Sequence, residues 1–202
     1  MPNSTPNSKP AKIWATDYPV TETLVRGLLD SQFPELMPLD LRLLGEGCDN
    51  TAYLVNSEFV FRFPRRKMAL ELLMNEARLL PLIAPHLPVA VPAPKLIGAP
   101  TREFPCPFSG YRLIPGVTAC SIELDDSRRS RLAVPIGELL RALHTIPVTV
   151  AMRSVCPGDL YVRHLLLNEL CELTGVIDWG DVHLGDPAVD LMIAYSFLPL
   201  SA

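Results

Sequence analysis

The sequence predicts an α+β fold, with short strands gathered in the amino-terminal half and helices dominating the rest. Three observations lead there. Short apolar runs separated by Gly, Asn and Ser turns occupy residues 41 to 63. Apolar stripes at helical spacing flank them at Thr21 to Leu29 and at Lys67 to Leu80, and recur from Ser127 to His144. A strand-turn-strand pattern then runs from Leu165 to Ile177.

Taken in order, the first helix places Leu24, Val25, Leu28 and Leu29 on one face. Strands follow at Leu41 to Leu44, Ala52 to Val55 and Phe59 to Phe63, the last two joined by the turn Asn56-Ser57-Glu58. Between the first two lies Gly45-Glu46-Gly47-Cys48-Asp49-Asn50. Glycines there let backbone N–H groups approach phosphate oxygens, and Asn50 and Thr51 add side-chain donors. The next helix carries Leu70, Leu73, Met74, Ala77 and Leu80 on one side. Prolines between Pro81 and Pro115 predict extended connections, and Ser109 to Ile114 reads as a strand entering the turn Pro115-Gly116. Ser127 is the expected cap of a helix ending at His144, with Leu132, Ile136, Leu139, Leu140 and Leu143 inward and Pro135 kinking it or resetting its start. His144, at the helix end, is assigned to packing or capping. Asp186-Pro187 opens the last helix as cap and first residue.

Composition narrows the function. The chain has 202 residues, 49% hydrophobic and 20% charged, with a net charge of −4. That balance belongs to a globular protein and gives no electrostatic footprint for nucleic acid. Cys48, Cys106, Cys120, Cys156 and Cys171 are odd in number and lack C-x-x-C spacing, so neither a disulfide framework nor a zinc site is expected from their spacing. The segment MPNSTPNSKPAK is polar and proline-rich, and prolines interrupt the apolar stretch from Leu79 to Leu96. The expected location is the cytoplasm, with no membrane partner.

The densest chemical signal is GDLYVRHLLLNELCELTGVIDWGDVHLGDPAVDL, from Gly158 to Leu191. Asp159 precedes one strand and Asp178 follows the next, which places both carboxylates at one end of a hairpin. Two such carboxylates are suited to holding a divalent metal and orienting a hydroxyl group.

This string resembles the catalytic and metal-binding segments of protein-kinase-like phosphotransferases, and more specifically the aminoglycoside phosphotransferase family of small-molecule kinases. The resemblance covers about Leu43 to Pro199. It implies a protein-kinase-like two-lobe fold: a nucleotide lobe over residues 1–113, with an antiparallel sheet and a helix, and a shortened, mainly helical catalytic lobe over 114–202. By the same resemblance Asp159 is the catalytic residue, and Asp178 and His164 hold Mg²⁺. Gly45, Gly47, Asn50, Thr51, Arg62 and Glu76 surround the phosphates of ATP. Arg62 stands where kinases usually place lysine, and Glu76, rather than Glu71, is its expected partner. Arg112, Leu113 and Ile114 meet the adenine through main-chain atoms.

The implied activity is ATP-dependent transfer of the γ-phosphoryl group to a hydroxyl of a small molecule. Three departures stand against it. Pro157 occupies the family's histidine position, His164 replaces the metal-binding asparagine, and only Thr145 to Pro157 separate the long helix from Gly158 where relatives place further helices. These favour an alternative: a truncated, non-catalytic nucleotide-binding remnant. The shortening also predicts exposed apolar surface, or a homo-oligomer that covers it.

Overall fold

A computed structural model describes residues 16–147 and 154–200. The opening tail and the middle of the short connection before Gly158 lie outside the described residues.

The chain opens with α1 (Glu22–Gln32), whose first turn is capped by the Thr21 hydroxyl accepting from the Leu24 N–H. Strands β1 (Leu41–Glu46), β2 (Asn50–Val55) and β3 (Phe59–Pro64) follow, then α2 (Met68–Ile83). With β4 (Leu96–Gly98) and β5 (Phe108–Arg112) the strands form an antiparallel sheet in the order β1-β2-β3-β5-β4. Alternation along β2 sorts its side chains onto two faces. Tyr53 and Val55 pack with Val25, Leu28 and Leu29 of α1, whereas Ala52 and Leu54 join Val60 and Tyr111 on the other face. The α1 face is rich in phenylalanine, and Phe63 and Phe108 stack with ring centroids 4.8 Å apart. A Cβ on Gly110 would stand 2.7 Å from the Phe61 ring, so the absent side chain makes room for that packing.

The second core is mainly helical. Strand β6 (Val117–Thr118) leads to α3 (Asp126–His144), which buries Leu132, Ile136, Leu139, Leu140 and Leu143. Against it pack the hairpin of β8 (Leu165–Leu167) and β9 (Leu173–Val176) and the fully buried Trp179. Leu80 and Ile83 of α2 belong to this core while Leu70 of the same helix packs in the first, so α2 spans both. Strands β7 (Ser154–Cys156) and β10 (His183–Gly185) pair antiparallel beside the hairpin. The described chain ends in a 3₁₀ turn (Pro187–Leu191) and the short α4 (Met192–Ser196). Met192 and Tyr195 stand largely in solvent there.

Several local expectations are corrected. The cap of α3 is Asp125, whose carboxylate accepts from the Arg128 N–H at 2.7 Å, not Ser127. Pro135 leaves α3 continuous, because burial of one face outweighs the single hydrogen bond that proline removes. Pro81 likewise lies inside α2, one turn from its end, rather than in an extended connection. The last helix begins with a 3₁₀ turn, although Asp186 caps it as expected through the Ala188 N–H.

Candidate active site

A cleft of about 990 Å³ opens beside the sheet. Gly45, Gly47 and Asn50 from the turn between β1 and β2 form one wall, and Leu166 and Ile177 from the hairpin form the opposite one. Tyr111, Leu113 and Ile114 close the back. The Gly47 N–H donates to the Asn50 carbonyl at 2.9 Å, which folds the turn back on itself, and a Cβ on Gly45 would meet nothing within 4 Å. The turn therefore leaves unfilled space on the cleft side.

Asp159 precedes β8 and Asp178 follows β9, which puts their segments at one end of the hairpin. Leu165 pairs with Val176, and the Ile177 N–H donates to the His164 carbonyl at 2.9 Å, extending the ladder to the two segments that carry them. Gly158, at φ +86°, turns the chain into Asp159, and a Cβ there would lie 2.4 Å from the Asp181 carbonyl oxygen. No larger residue fits that approach. Asp178 itself has φ +61°, in the left-handed region that aspartate tolerates better than most residues.

His164 links the two. Its Nδ1 lies 2.7 Å from the Asp159 carbonyl oxygen. A carbonyl can only accept, so Nδ1 carries the proton, and Nε2 faces Asp178 Oδ2 at 3.4 Å. From Asp178 the contacts continue to Arg62, 3.8 Å away, and from Arg62 to Glu76 at 2.5 Å. A series of contacts, Glu76–Arg62–Asp178–His164 and on to the Asp159 main-chain carbonyl, thus runs from α2 through β3 to the hairpin.

Electrostatics follow burial. The Arg62 guanidinium loses solvation by burial, yet Glu76, Tyr111 and Asp178 outweigh that loss and leave its pKa raised. Burial pushes the Glu76 carboxyl up, and Arg62 opposes the push. A permanently charged guanidinium at hydrogen-bond distance keeps the pair ionic at neutral pH. Burial also drives the Tyr111 hydroxyl up to about 12, against the pull of Arg62. Glu76 Oε1 has no hydrogen-bond partner and faces Gly180, where a Cβ would come within 3.5 Å of it.

The donor set at Asp178 and His164 fits a divalent cation. Two ligands at right angles around Mg²⁺, bound at 2.0–2.1 Å, stand roughly 3 Å apart, close to the 3.4 Å between His164 Nε2 and Asp178 Oδ2. A ring that carries its proton on Nδ1 alone offers Nε2 as a ligand beside the carboxylate oxygen. Mg²⁺ prefers oxygen, but it keeps several waters and asks few ligands of the protein.

Gly45, Gly47, Asn50 and Ile114 line the cleft. Thr51 does not: it is fully buried, one residue out of step with the cleft-facing Asn50 and Ala52, so the period of two aims its side chain away from any phosphate. Strand alternation within Asn50-Thr51-Ala52 already forbids both Asn50 and Thr51 from serving one face. The Arg112 side chain turns outward to Glu58 at 2.6 Å and lies over the Phe59 ring, leaving only its main chain near the cleft. Tyr111 and Arg163 are among the cleft residues that escaped sequence reasoning. Tyr111 reaches the cleft because it pairs with Val60, a register that sequence spacing does not reveal. His144, assigned to packing or capping, sits 2.8 Å from the buried Asp190 carboxylate.

Comparison with known proteins places the chain. The sequence pattern of the phosphotransferase enzyme family matches residues 40–154 and 150–201. No curated protein sequence matches. Among solved structures, the GDP and kanamycin complex of APH(2")-IIia is similar, with 26% identity and a TM-score of 0.75 over 87% of this chain and 79% of that one. The GDP complex of wild-type aminoglycoside 2'-phosphotransferase-IIIa gives 25% identity and a TM-score of 0.78, over 88% and 79%. Macrolide 2'-phosphotransferase MphH from Brachybacterium faecium, at 22% identity and a TM-score of 0.66 over 87% and 79%, shares the fold. The antiparallel amino-terminal sheet with its helix, followed by a shortened, largely helical second part, is therefore a kinase-like arrangement, and the chain belongs to the phosphotransferase enzyme family.

Proposed function

We propose that this protein transfers the γ-phosphoryl group of a purine nucleoside triphosphate, ATP in the first instance, to a hydroxyl of a small molecule. Its nucleotide lobe extends to residue 113 and its catalytic lobe begins at 114. The reading is carried by one observation: the segments bearing Asp159 and Asp178 lie at the same end of one hairpin, joined through His164, and Leu166 and Ile177 beside them line the cleft with the glycine turn.

The acceptor oxygen attacks the γ-phosphorus, the bond from that phosphorus to the bridging oxygen breaks, and the nucleoside diphosphate leaves. The acceptor proton passes to the Asp159 carboxylate, which is exposed and free to receive it. Its main task is to hold the hydroxyl in line, since the transition state is loose and positioning outweighs base strength. Arg62, held by Glu76, presents a fixed charge toward the phosphates. A Mg²⁺ ion held by Asp178 and His164 would neutralise charge on the β- and γ-phosphate oxygens. Gly45, Gly47 and Asn50 offer the turn against which the phosphates rest, and the main chain from Arg112 to Ile114 meets the purine. GDP in two of the similar structures makes GTP the second donor to try.

Aminoglycosides and macrolides are the acceptor classes to test first, in view of the kanamycin and macrolide enzymes among the similar structures. The experiment is a nucleoside-diphosphate release assay with Mg²⁺ and a panel of both. Acceptor-dependent turnover that disappears in Asp159→Asn supports the reading, and no turnover with any acceptor or donor opposes it. A second reading, a nucleotide-binding remnant without catalysis, is favoured by Pro157 and by the family match falling into two segments that meet at residues 150–154. Thermal stabilisation by Mg-nucleotide without turnover would select it.

A further inference from the structure

A second cluster of ligand-type side chains lies away from the nucleotide cleft, beneath the catalytic segment. His144 ends α3, Cys156 ends β7, and Asp190 sits in the 3₁₀ turn before α4. One ligand atom from each lies within 4.8 Å of the other two. Cys156 is wholly buried, the Asp190 side chain is fully buried, and the His144 side chain is only 19% exposed. These residues share no segment; the fold alone assembles them.

The contacts within the cluster are incomplete. His144 Nε2 lies 2.8 Å from Asp190 Oδ2, which satisfies one carboxylate oxygen. Asp190 Oδ1 has no hydrogen-bond partner although it is buried. The Cys156 thiol bonds weakly to the Ser154 carbonyl, at 3.6 Å, and also faces the Asp190 carboxylate. A buried carboxylate oxygen without a partner is costly, and a hydrogen-bonded His–Asp pair leaves that cost in place. An imidazole, a thiol and a carboxylate converging in a water-poor space are a donor set for a borderline-soft divalent ion. Tetrahedral zinc holds such ligands roughly 3.3–3.7 Å apart, between the 2.8 Å of the His144–Asp190 contact and the 4.8 Å within which all three atoms lie.

We propose that His144, Cys156 and Asp190 form a structural zinc site that ties the end of α3, strand β7 and the turn before α4 together. Binding converts the Cys156 thiol to a thiolate, with its proton released to solvent, and the S–Zn bond forms in its place. Three protein ligands leave a fourth position for water. Sequence spacing of the cysteines alone gave no zinc pattern, because the ligands are one cysteine, one histidine and one aspartate from three separate elements. The inference does not depend on the phosphotransferase reading, since a structural ion would be bound with or without turnover.

The test uses the full chain, stripped with chelator and titrated with Co²⁺ and with Zn²⁺. The expected result is one equivalent bound, a thiolate-to-cobalt charge-transfer band, and a higher melting temperature with zinc. Cys156→Ser, folded by far-ultraviolet circular dichroism, should lose the band and the zinc-dependent stabilisation. A wild-type protein without the band overturns the proposal. So does a band that persists in Cys156→Ser, which would assign it to Cys48, Cys120 or Cys171. Should that variant not fold, zinc-edge X-ray absorption of the wild-type protein decides: one sulfur among nitrogen and oxygen neighbours supports the site, and a shell without sulfur rejects it. The Asp178–His164 pair has no thiol, so the spectrum separates the two metal positions.

Discussion

Two histidine–aspartate pairs hold the carboxyl-terminal half of this protein together, and they behave differently. His164 Nε2 and Asp178 stand 3.4 Å apart with the carboxylate 56% exposed. His144 Nε2 and Asp190 stand 2.8 Å apart with the carboxylate fully buried. The first pair holds its carboxylate half in water; the second buries its carboxylate and leaves one of the two oxygens without a hydrogen bond. The same two side chains can therefore serve chemistry or architecture, and exposure decides which.

The largest expected effect breaks the open side of this comparison. Asp159→Asn should lower turnover about 10²–10⁴-fold, the range for a lost positioning base. Nucleotide affinity, followed by calorimetry, should stay near the wild-type value. A parallel fall in both would mean that Asp159 supports the fold rather than the reaction.

The closed pair should answer through stability instead. His144→Ala strands the Asp190 charge and should cost about 3–5 kcal/mol in urea unfolding. Asp178→Ala, measured without nucleotide, should cost about 1 kcal/mol or less because its carboxylate is half in water. That variant should instead lose the thermal stabilisation given by Mg-nucleotide. Equal unfolding penalties for the two would erase the distinction.

A smaller effect comes from pH at the back of the cleft. The Tyr111 hydroxyl, ordinarily near 10, is pushed up to about 12 by burial. The folded protein thus keeps a proton that the unfolded chain gives up, so this contribution is intact below pH 10 and is lost as pH rises toward 12. The loss amounts to at most about 3 kcal/mol. Tyr111→Phe should flatten that part of the stability profile, and an unchanged slope would show that other groups cause it.

The smallest effect separates two ion pairs of the same residue types. Arg62–Glu76 and Arg112–Glu58 have nearly equal lengths, 2.5 and 2.6 Å, but Glu76 is 3% exposed and Glu58 47%. Glu58→Ala should cost about 1 kcal/mol or less in the same unfolding assay, well below Glu76→Ala, which leaves Arg62 buried without its main partner.

What the sequence revealed follows the range of the interactions involved. Strand runs, the α1 stripe and the hairpin are local patterns, legible in periodicity and in turn residues such as Asn56-Ser57. Arg62 and Glu76 could be matched because resemblance supplied a partner that spacing alone did not. The face of Thr51 was legible in principle, since two adjacent strand residues cannot serve one side of a sheet. Tyr111 and the His144–Cys156–Asp190 cluster were not, because register and the packing of α3 against distant strands bring them into place. Helix capping by Asp125 rather than Ser127 shows how a nearby polar residue can take the same role two residues earlier.

The most direct test is a crystal structure of the full chain with Mg²⁺ and a non-hydrolysable ATP analogue. The phosphates should lie between the Gly45–Gly47 turn and Asp178, with the ion contacted by Asp178 and His164 and the Asp159 carboxylate facing the γ-phosphate. A nucleotide bound elsewhere, or one whose phosphates leave Asp178 untouched, would contradict the account.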